Sequence, residues 1–230
     1  MKAENELVSF RCKDLTLEGI VTWPAKQKTE GLSSSSKASG ALWGGIVCHP
    51  HPLYGGNMYN DVVVTAWEAF VESGLVALRF NFRGTGRSQG RHSGGVQEQE
   101  DVEAAIDYLL SQDEGQGKGI ALAGYSFGAM VGLRVAVKDP RVVALIAIAP
   151  PLSMDDFSFL ENCPKPQLII AGENDFICPK ALAGNLYHCL SGPKRIALIP
   201  QADHSLFGGE TQVSRTIKDF IHSYGDLLNY

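Results

Sequence analysis

A serine between two glycines is the first feature of this sequence that could do chemistry. Residues 124–128 read Gly-Tyr-Ser-Phe-Gly, the pattern G-x-S-x-G, and they follow the apolar run 120–123. Between a strand and a helix this pattern is typical of the nucleophile elbow, a strained turn that lifts a serine hydroxyl above a sheet edge. A glycine-rich turn with an incidental serine is the alternative, but the position after an apolar run favours Ser126 as a nucleophile.

A serine hydroxyl is a weak nucleophile at neutral pH, so it needs a histidine base and an acid that orients the base. Asp175 and His204 follow later apolar runs in the order Ser, acid, His that the elbow predicts. We interpret His204 as the general base and Asp175 as its orienter. Glu173 is the main competitor for this role, although it lies nearer the preceding strand. Asp203, adjacent to the histidine, fits a turn residue better.

Acyl transfer also needs N–H donors for the negative charge that develops on the substrate carbonyl oxygen. One donor in this arrangement is the N–H group that follows the nucleophile, here that of Phe127. The second is expected in the segment 49–56, which reads His-Pro-His-Pro-Leu-Tyr-Gly-Gly. Its prolines have no N–H group, which leaves His51, Leu53 and Tyr54 as candidates. We favour His51.

Two further patterns suggest cofactors, but both are weak. His49 and His51 have the His-x-His spacing of a chelating pair, yet no carboxylate or further His/Cys cluster accompanies them in order. Residues 84–90 are rich in glycine, but their spacing departs from G-x-G-x-x-G and no helix follows directly. The sequence therefore predicts neither a metal nor an organic cofactor.

Apolar residues in the loops near these candidates could line a substrate pocket or belong to the core. Substrate contacts are expected from Leu53, Tyr54, Phe176 and Phe207. About half of the wider set is expected in the core, because loop aromatics often anchor their own loop. That set comprises Tyr54, Met58, Tyr59, Phe127, Phe157, Phe159, Phe176 and Phe207.

Composition and charge limit the class of protein. The chain has 230 residues, of which 44% are apolar and 20% charged, as in soluble globular domains. A net charge of −5 without a basic stripe argues against nucleic-acid binding. The longest apolar stretch, 142–152, is too short to cross a membrane. Five cysteines without CxxC spacing, and an acidic N-terminus without an apolar signal region, predict a cytoplasmic protein. No pattern indicates an oligomeric state.

Alternating strands and helices must position the candidate residues. A hairpin of strands 7–12 and 15–23 opens the chain, and the serine-rich segment 24–40 predicts a mobile surface loop. Apolar runs and helical spacing then alternate, which predicts a single α/β domain over 1–230 with helices on both faces of a mostly parallel sheet. The predicted strands are 45–48, 76–82, 120–125, 142–149, 167–171 and 195–199, and the predicted helices are 62–73, 96–111, 128–138, 180–190 and 211–228. All three catalytic candidates then lie at the C-terminal ends of strands, where such folds bind ligands.

The order of these motifs resembles that of the α/β-hydrolase superfamily over residues 7–228. The elbow around Ser126, the turn 83–88, the segment 172–175 and the Asp-His pair ending at His204 all follow that family's order. Residues 49–56 are similar to those of small capless members related to the dienelactone hydrolases. That group often has cysteine where this chain has serine, so dienelactone chemistry itself is not expected.

The resemblance implies an eight-stranded sheet with one antiparallel strand near the N-terminus. A cap domain would follow the sixth strand, but the segment 151–166 has room only for a short helix around 155–161. We therefore expect an open site that cleaves a small-molecule carboxylic ester or thioester through an acyl-enzyme intermediate. The alternatives are a small peptidase, and a binding or adaptor protein that keeps the fold without turnover.

Overall fold

One eight-stranded sheet organises the backbone. The computed structural model describes residues 4–24, 42–112 and 118–223. Its strands are β1 Glu4–Cys12, β2 Leu15–Trp23, β3 Leu42–Cys48, β4 Val76–Phe80, β5 Gly119–Tyr125, β6 Val142–Ile148, β7 Gln167–Gly172 and β8 Lys194–Ile199. β5 and β7 are buried along their whole length, as their continuous apolar runs predict for strands covered on both faces.

From β3 onward, each strand except β6 is followed by an α-helix before the next strand or the end of the described chain. In the described part of the chain these helices are α1 Asp61–Glu72, α2 Glu98–Leu110, α3 Phe127–Lys138, α4 Lys180–Cys189 and α5 Glu210–His222. Two short 3-10 turns, Pro52–Tyr54 and Ser158–Leu160, lie in the segments after β3 and after β6. The predicted helices agree with these bounds to within a few residues, except that 224–228 lie outside the described residues.

The strands are ordered β1-β2-β4-β3-β5-β6-β7-β8. β2 is antiparallel to both of its neighbours, and the neighbouring pairs from β4 to β8 are parallel. The predicted mostly parallel sheet with one reversed strand near the N-terminus is therefore confirmed.

Two consecutive glycines of β3 show that helices cover both faces of the sheet. Side chains alternate between the faces of a strand, so Gly44 and Gly45 face opposite ways. A Cβ atom at Gly44 would lie 3.1 Å from Leu109 of α2, whereas one at Gly45 would overlap the ring of Phe70 of α1. Glycine at these positions lets both helices pack closely against the centre of the sheet.

Two local features differ from the prediction or lie beyond the description. β4 ends at Phe80 rather than at residue 82, because the N–H group of Phe82 donates to the ring of His49, 3.0 Å away, instead of continuing the strand. The loop predicted over 24–40 falls almost wholly outside the described residues.

No cap domain follows β6. The segment 151–166 consists of turns and the 3-10 turn Ser158–Leu160, in place of the short helix expected around 155–161. Among the helices described, none is long and apolar enough to cross a membrane.

Candidate active site

Ser126 lies at a strained turn between β5 and α3. Its backbone angles are φ 51° and ψ −117°, in the left-handed half of the map that residues with a side chain rarely adopt. The flanking glycines make the turn feasible: a Cβ at Gly124 would lie 2.5 Å from the backbone N of Ala129, and one at Gly128 would overlap the carbonyl of Cys48. The sequence around the serine therefore builds the sharp strand-to-helix turn that G-x-S-x-G predicts.

His204 lies between Ser126 and Asp175, within hydrogen-bond distance of both. Its Nε2 atom is 2.9 Å from Ser126 Oγ, and its Nδ1 atom is 2.8 Å from Asp175 Oδ2. Because an ionised carboxylate only accepts, Nδ1 carries the proton and Nε2 accepts from the serine hydroxyl. The structure thus brings together three residues separated by up to 78 positions in the chain.

Two backbone N–H groups and burial fix the orientation of Asp175. Its side chain is fully buried, and its Oδ1 atom accepts from the N–H groups of Ile177 at 2.7 Å and Cys178 at 2.8 Å. Its competitors are engaged elsewhere. Glu173 accepts from a backbone N–H group at 3.3 Å, and Asp203 is exposed, with its pKa lowered by hydrogen bonds from its neighbour Ser205.

The N–H groups of Phe127 and His51 are available as donors. In the loop after β3, the Leu53 N–H donates to His51 Nδ1 at 3.2 Å, and the Tyr54 N–H donates to the His51 carbonyl at 3.0 Å. Those of His51 and Phe127 donate to no group of the described residues. His51 also packs its ring on that of Phe127, with centroids 4.8 Å apart.

His49 holds the loop after β3 in place. It is fully buried; its Nδ1–H group donates to the Pro50 carbonyl at 2.7 Å, and its Nε2 atom accepts from the Phe82 N–H group at 3.0 Å. Burial lowers the pKa of His49 to about 4, so the ring is neutral at physiological pH. Both nitrogens are thus engaged with backbone groups. Within the described residues, no three His, Cys, Asp or Glu side chains cluster as metal ligands would.

A cleft of about 510 Å³ opens beside Ser126. Tyr54 and Phe127, both in the set of apolar loop residues near the site, line it, and further apolar walls come from residues that sequence reasoning did not assign to substrate contact: Tyr125, Met130, Pro151, Met154 and Ile177. Met130 lies four residues after Ser126 on α3, a helical spacing that could have revealed it.

Three residues predicted to contact substrate do not line this cleft. Leu53 lines a neighbouring groove instead. Phe176 is 89% exposed and Phe207 84% exposed. The turn that ties the backbone to Asp175 Oδ1 presents Ile177 to the cleft and leaves Phe176 in solvent.

The wider aromatic and apolar set divides between core and surface. Met58, Phe157 and Phe127 are buried, Phe159 is partly buried against the core, and Tyr59 is exposed. The expectation that about half of the set belongs to the core is therefore met.

The cleft is nearly free of charged side chains. Among the described residues lining it, Asp155 is the one carboxylate, and there is no lysine or arginine. Asp155 is itself paired with Arg134 of α3, 2.8 Å away. The cleft therefore presents a mainly apolar surface to a bound molecule.

The reversed N-terminal strand, the helix-covered parallel sheet, the serine turn and the absence of a cap define a lidless α/β hydrolase fold. A family model described as X-Pro dipeptidyl-peptidase (S15 family) matches residues 22–176, more than half of the chain. The chain belongs to this S15 family of the α/β hydrolases.

The chain is also similar to a relative in sequence and to solved structures of α/β serine hydrolases. A protein of Rickettsia prowazekii is 37% identical over 184 residues, covering 76% of this chain and 77% of that protein. An alpha-beta serine hydrolase homologue from Coxiella burnetii superposes with a TM-score of 0.78 at 34% identity, over 95% of this chain and 97% of its own. A serine hydrolase without lid from Xanthomonas campestris has a TM-score of 0.81 at 28% identity, over 96% and 95% of the two chains.

Proposed function

We propose that this protein is a serine esterase or thioesterase that acts through a covalent acyl-enzyme. One observation carries the proposal: His204 Nε2 lies 2.9 Å from Ser126 Oγ while its Nδ1 lies 2.8 Å from the buried Asp175 carboxylate. This arrangement activates a serine hydroxyl and stabilises the imidazolium that forms when the hydroxyl loses its proton. A binding protein that had lost turnover would not need these three side chains within hydrogen-bond distance of one another.

In the first half of the reaction, Ser126 Oγ attacks the carbonyl carbon of the ester while His204 Nε2 takes the hydroxyl proton. The negative charge on the carbonyl oxygen is stabilised by the N–H groups of Phe127 and His51. The bond to the leaving group then breaks, and His204 returns its proton to the departing alcohol or thiol. The acyl group remains bonded to Ser126.

In the second half, a water molecule replaces the alcohol. His204 takes a proton from this water as its oxygen attacks the acyl carbon. Collapse of the second tetrahedral intermediate breaks the bond to Ser126 Oγ, which regains its proton from His204. The products are a carboxylic acid and an alcohol or thiol, and the enzyme is restored.

The cleft favours a neutral, apolar acyl group. Met130, Met154 and Ile177 provide its apolar walls, and methionine side chains adapt to irregular shapes. In the part of the chain that the structure describes, no lysine or arginine lines the cleft to hold a charged acyl group. Because no cap covers the mouth, the leaving group extends towards solvent and imposes little selectivity.

Peptide hydrolysis, which the description of the S15 family names, is the second candidate. A dipeptidyl-peptidase must hold the positively charged N-terminal amine of its substrate, which calls for an unpaired carboxylate in the cleft. Asp155 is the one carboxylate among the described lining residues, and Arg134 already neutralises it. The cleft therefore suits an ester better than an N-terminal dipeptide.

A reducing compartment such as the cytoplasm suits the cysteines. All five are free, and four of them, Cys12, Cys48, Cys163 and Cys178, are buried. Burial raises the pKa of the Cys48 and Cys178 thiols well above the ordinary value, which leaves them unreactive.

The first experiment is labelling of the purified protein with a fluorophosphonate, followed by peptide mass spectrometry. We expect one adduct, on Ser126, in the wild type and in a control variant, Ser111→Ala, on the surface after α2. Ser126→Ala should lose the label and about 10⁴-fold or more in kcat/KM for a reactive ester. An adduct on another residue, or unchanged turnover in Ser126→Ala, would contradict the proposal.

A substrate panel then separates the two candidates. We expect p-nitrophenyl esters and acyl thioesters of neutral acyl chains to be cleaved with much higher kcat/KM than X-Pro anilides. A preference for the X-Pro anilide over every ester would instead establish the peptidase.

A further inference from the structure

Tyr125 makes a contact that links the serine turn to the histidine loop. It is the last residue of β5, directly before Ser126, and it is only 5% exposed. Its hydroxyl donates to the backbone carbonyl of His204 at 2.9 Å. Burial, with the nearby charges of Asp175 and Asp203, raises the pKa of Tyr125 to about 12, so the hydroxyl keeps its proton and remains a donor at neutral pH.

The loop that carries His204 needs such a restraint. It runs between β8 and α5, and two of its non-glycine residues, Gln201 at φ 59° and Leu206 at φ 55°, are held in the left-handed region. Such conformations are energetically unfavourable for residues with a side chain and persist only where surrounding contacts impose them. Asn174 holds the start of the loop through the carbonyls of Gln201 and Ala202.

The hydrogen bond from Tyr125 is the one that anchors the backbone of His204 itself, among the residues described. Two consecutive residues therefore bind His204. Tyr125 donates to its backbone carbonyl, and Ser126 Oγ lies 2.9 Å from Nε2 of its ring. The rings of Tyr125 and His204 also lie alongside each other, with centroids 5.9 Å apart and planes tilted by 35°. The separation of nucleophile and base is therefore set by one rigid segment at the end of β5.

We propose that Tyr125 is a positioning residue that keeps the imidazole of His204 between Ser126 and Asp175. The inference rests on the proposed serine-hydrolase function and extends it to a residue without a proton-transfer role. A small displacement of a catalytic group is costly, since a misplacement of about 1 Å can reduce the rate by about 10²-fold.

The test variant is Tyr125→Phe, which keeps the ring and removes the hydroxyl. We expect kcat for a reactive ester, and the rate of fluorophosphonate labelling, to fall by about 5- to 100-fold while KM changes little. Tyr108→Phe is the matched control: this tyrosine is stacked on Phe10, with centroids 5.1 Å apart, on α2. It should leave kcat and KM unchanged. Rates are normalised to the folded fraction measured by urea titration, so that a loss of stability is not read as a loss of positioning.

Because Tyr125 also lines the cleft, contact with substrate must be separated from positioning. The same substitution is therefore made in a His204→Ala background. If Tyr125 acts through the histidine, it should produce no further loss of the residual activity there. A second loss as large as the first would show that Tyr125 acts on the substrate, and would overturn the inference.

The outcomes distinguish this inference from the function on which it rests. Failure of the wild type to label at Ser126 would refute the proposed function. Labelling of the wild type at Ser126, with Tyr125→Phe as fast as the wild type, would leave the function standing and refute the positioning role alone.

Discussion

Burial gives the two histidines of the loop after β3 different properties. His49 is fully buried and neutral, with both ring nitrogens bonded to backbone groups. His51 is only partly buried and packs its ring on Phe127 beside the cleft. The first histidine fixes the loop, and the second has a backbone N–H group that donates to no group of the described residues, which is why we propose it as a donor to the substrate oxyanion.

Protonation of His49 should destabilise the fold. The Phe82 N–H group now donates to Nε2 of His49. If Nε2 were protonated it could no longer accept, and two N–H groups would face each other. The pKa of His49 is lowered to about 4 in the fold, against about 6.5 for a free histidine, so the unfolded chain binds more protons between these values. Stability from this residue is therefore complete above about pH 6.5 and is lost as the pH falls towards 4.

The measurement is urea unfolding at about pH 7.5 and about pH 5. These pKa values correspond to a loss of about 2 kcal/mol in the free energy of unfolding over that interval from His49 alone. His49→Gln should be less stable than the wild type at the higher pH, but its pH dependence should be smaller by about that amount. Equal pH dependence in the two proteins would show that His49 does not titrate as the structure indicates.

At the scale of elements, two glycines within helices have opposite roles. Gly128, in the first turn of α3, lies where a Cβ would overlap the carbonyl of Cys48 at the end of β3. Gly184, in α4, has no atom within 4 Å of the position where a Cβ would be. Glycine is required at the first position and is merely tolerated at the second.

Alanine substitution should therefore change stability in opposite directions. Gly128→Ala must push α3 away from the loop that carries His51, so we expect a clear loss of stability and of fluorophosphonate labelling. Gly184→Ala should raise the free energy of unfolding by up to about 1 kcal/mol, the ordinary helix preference for alanine, with labelling unchanged. Urea titration and labelling rates of the two variants provide the check. Labelling of Gly128→Ala at the wild-type rate would contradict the close packing.

The elements could be predicted from sequence because their signals are local. Continuous apolar runs mark β5 and β7, and the small residues around Ser126 mark the turn between β5 and α3. The placement of Asp175 at a strand end is likewise visible in the chain. The outward direction of Phe176 could not be predicted from the sequence, because it depends on which backbone N–H groups bind Asp175.

Contacts between distant parts of the chain were also beyond sequence reasoning. The hydroxyl of Tyr125 meets a carbonyl 79 residues away, and nothing in the order of residues marks that partner. Met154 reaches the cleft from the segment after β6, where no local spacing marks it, whereas Met130 lies one helical turn after Ser126 and could have been found. The residues that line the cleft are brought together by packing between distant segments, whereas the turn at Ser126 is marked by a local sequence motif.

For the molecule as a whole, a buried ion pair joins the turn after β4 to α2, and the N-terminal hairpin contacts this pair. Arg83, in the turn after β4, donates to Asp101 of α2 through its backbone N–H at 2.9 Å, Nε at 2.9 Å and Nη2 at 2.7 Å. Cys12 of β1 donates to the same carboxylate at 3.4 Å. Lys13 extends the contact at the surface through Glu100, at 2.6 Å.

Asp101→Ala should be among the most destabilising substitutions in the protein. The Asp101 side chain is fully buried and that of Arg83 nearly so, so removal of the carboxylate would leave a buried positive charge that keeps the partly exposed Glu100, 3.1 Å away, but loses its buried partner. Loss of one member of a buried pair costs about 3–5 kcal/mol. Asp107→Ala is the matched control, since Asp107 lies on the same helix and pairs with Arg141 at 2.7 Å, but is 66% exposed. Its loss should cost no more than about 1 kcal/mol. Urea unfolding of the two variants measures the difference, and similar costs would show that the buried pair contributes no more to stability than the exposed one.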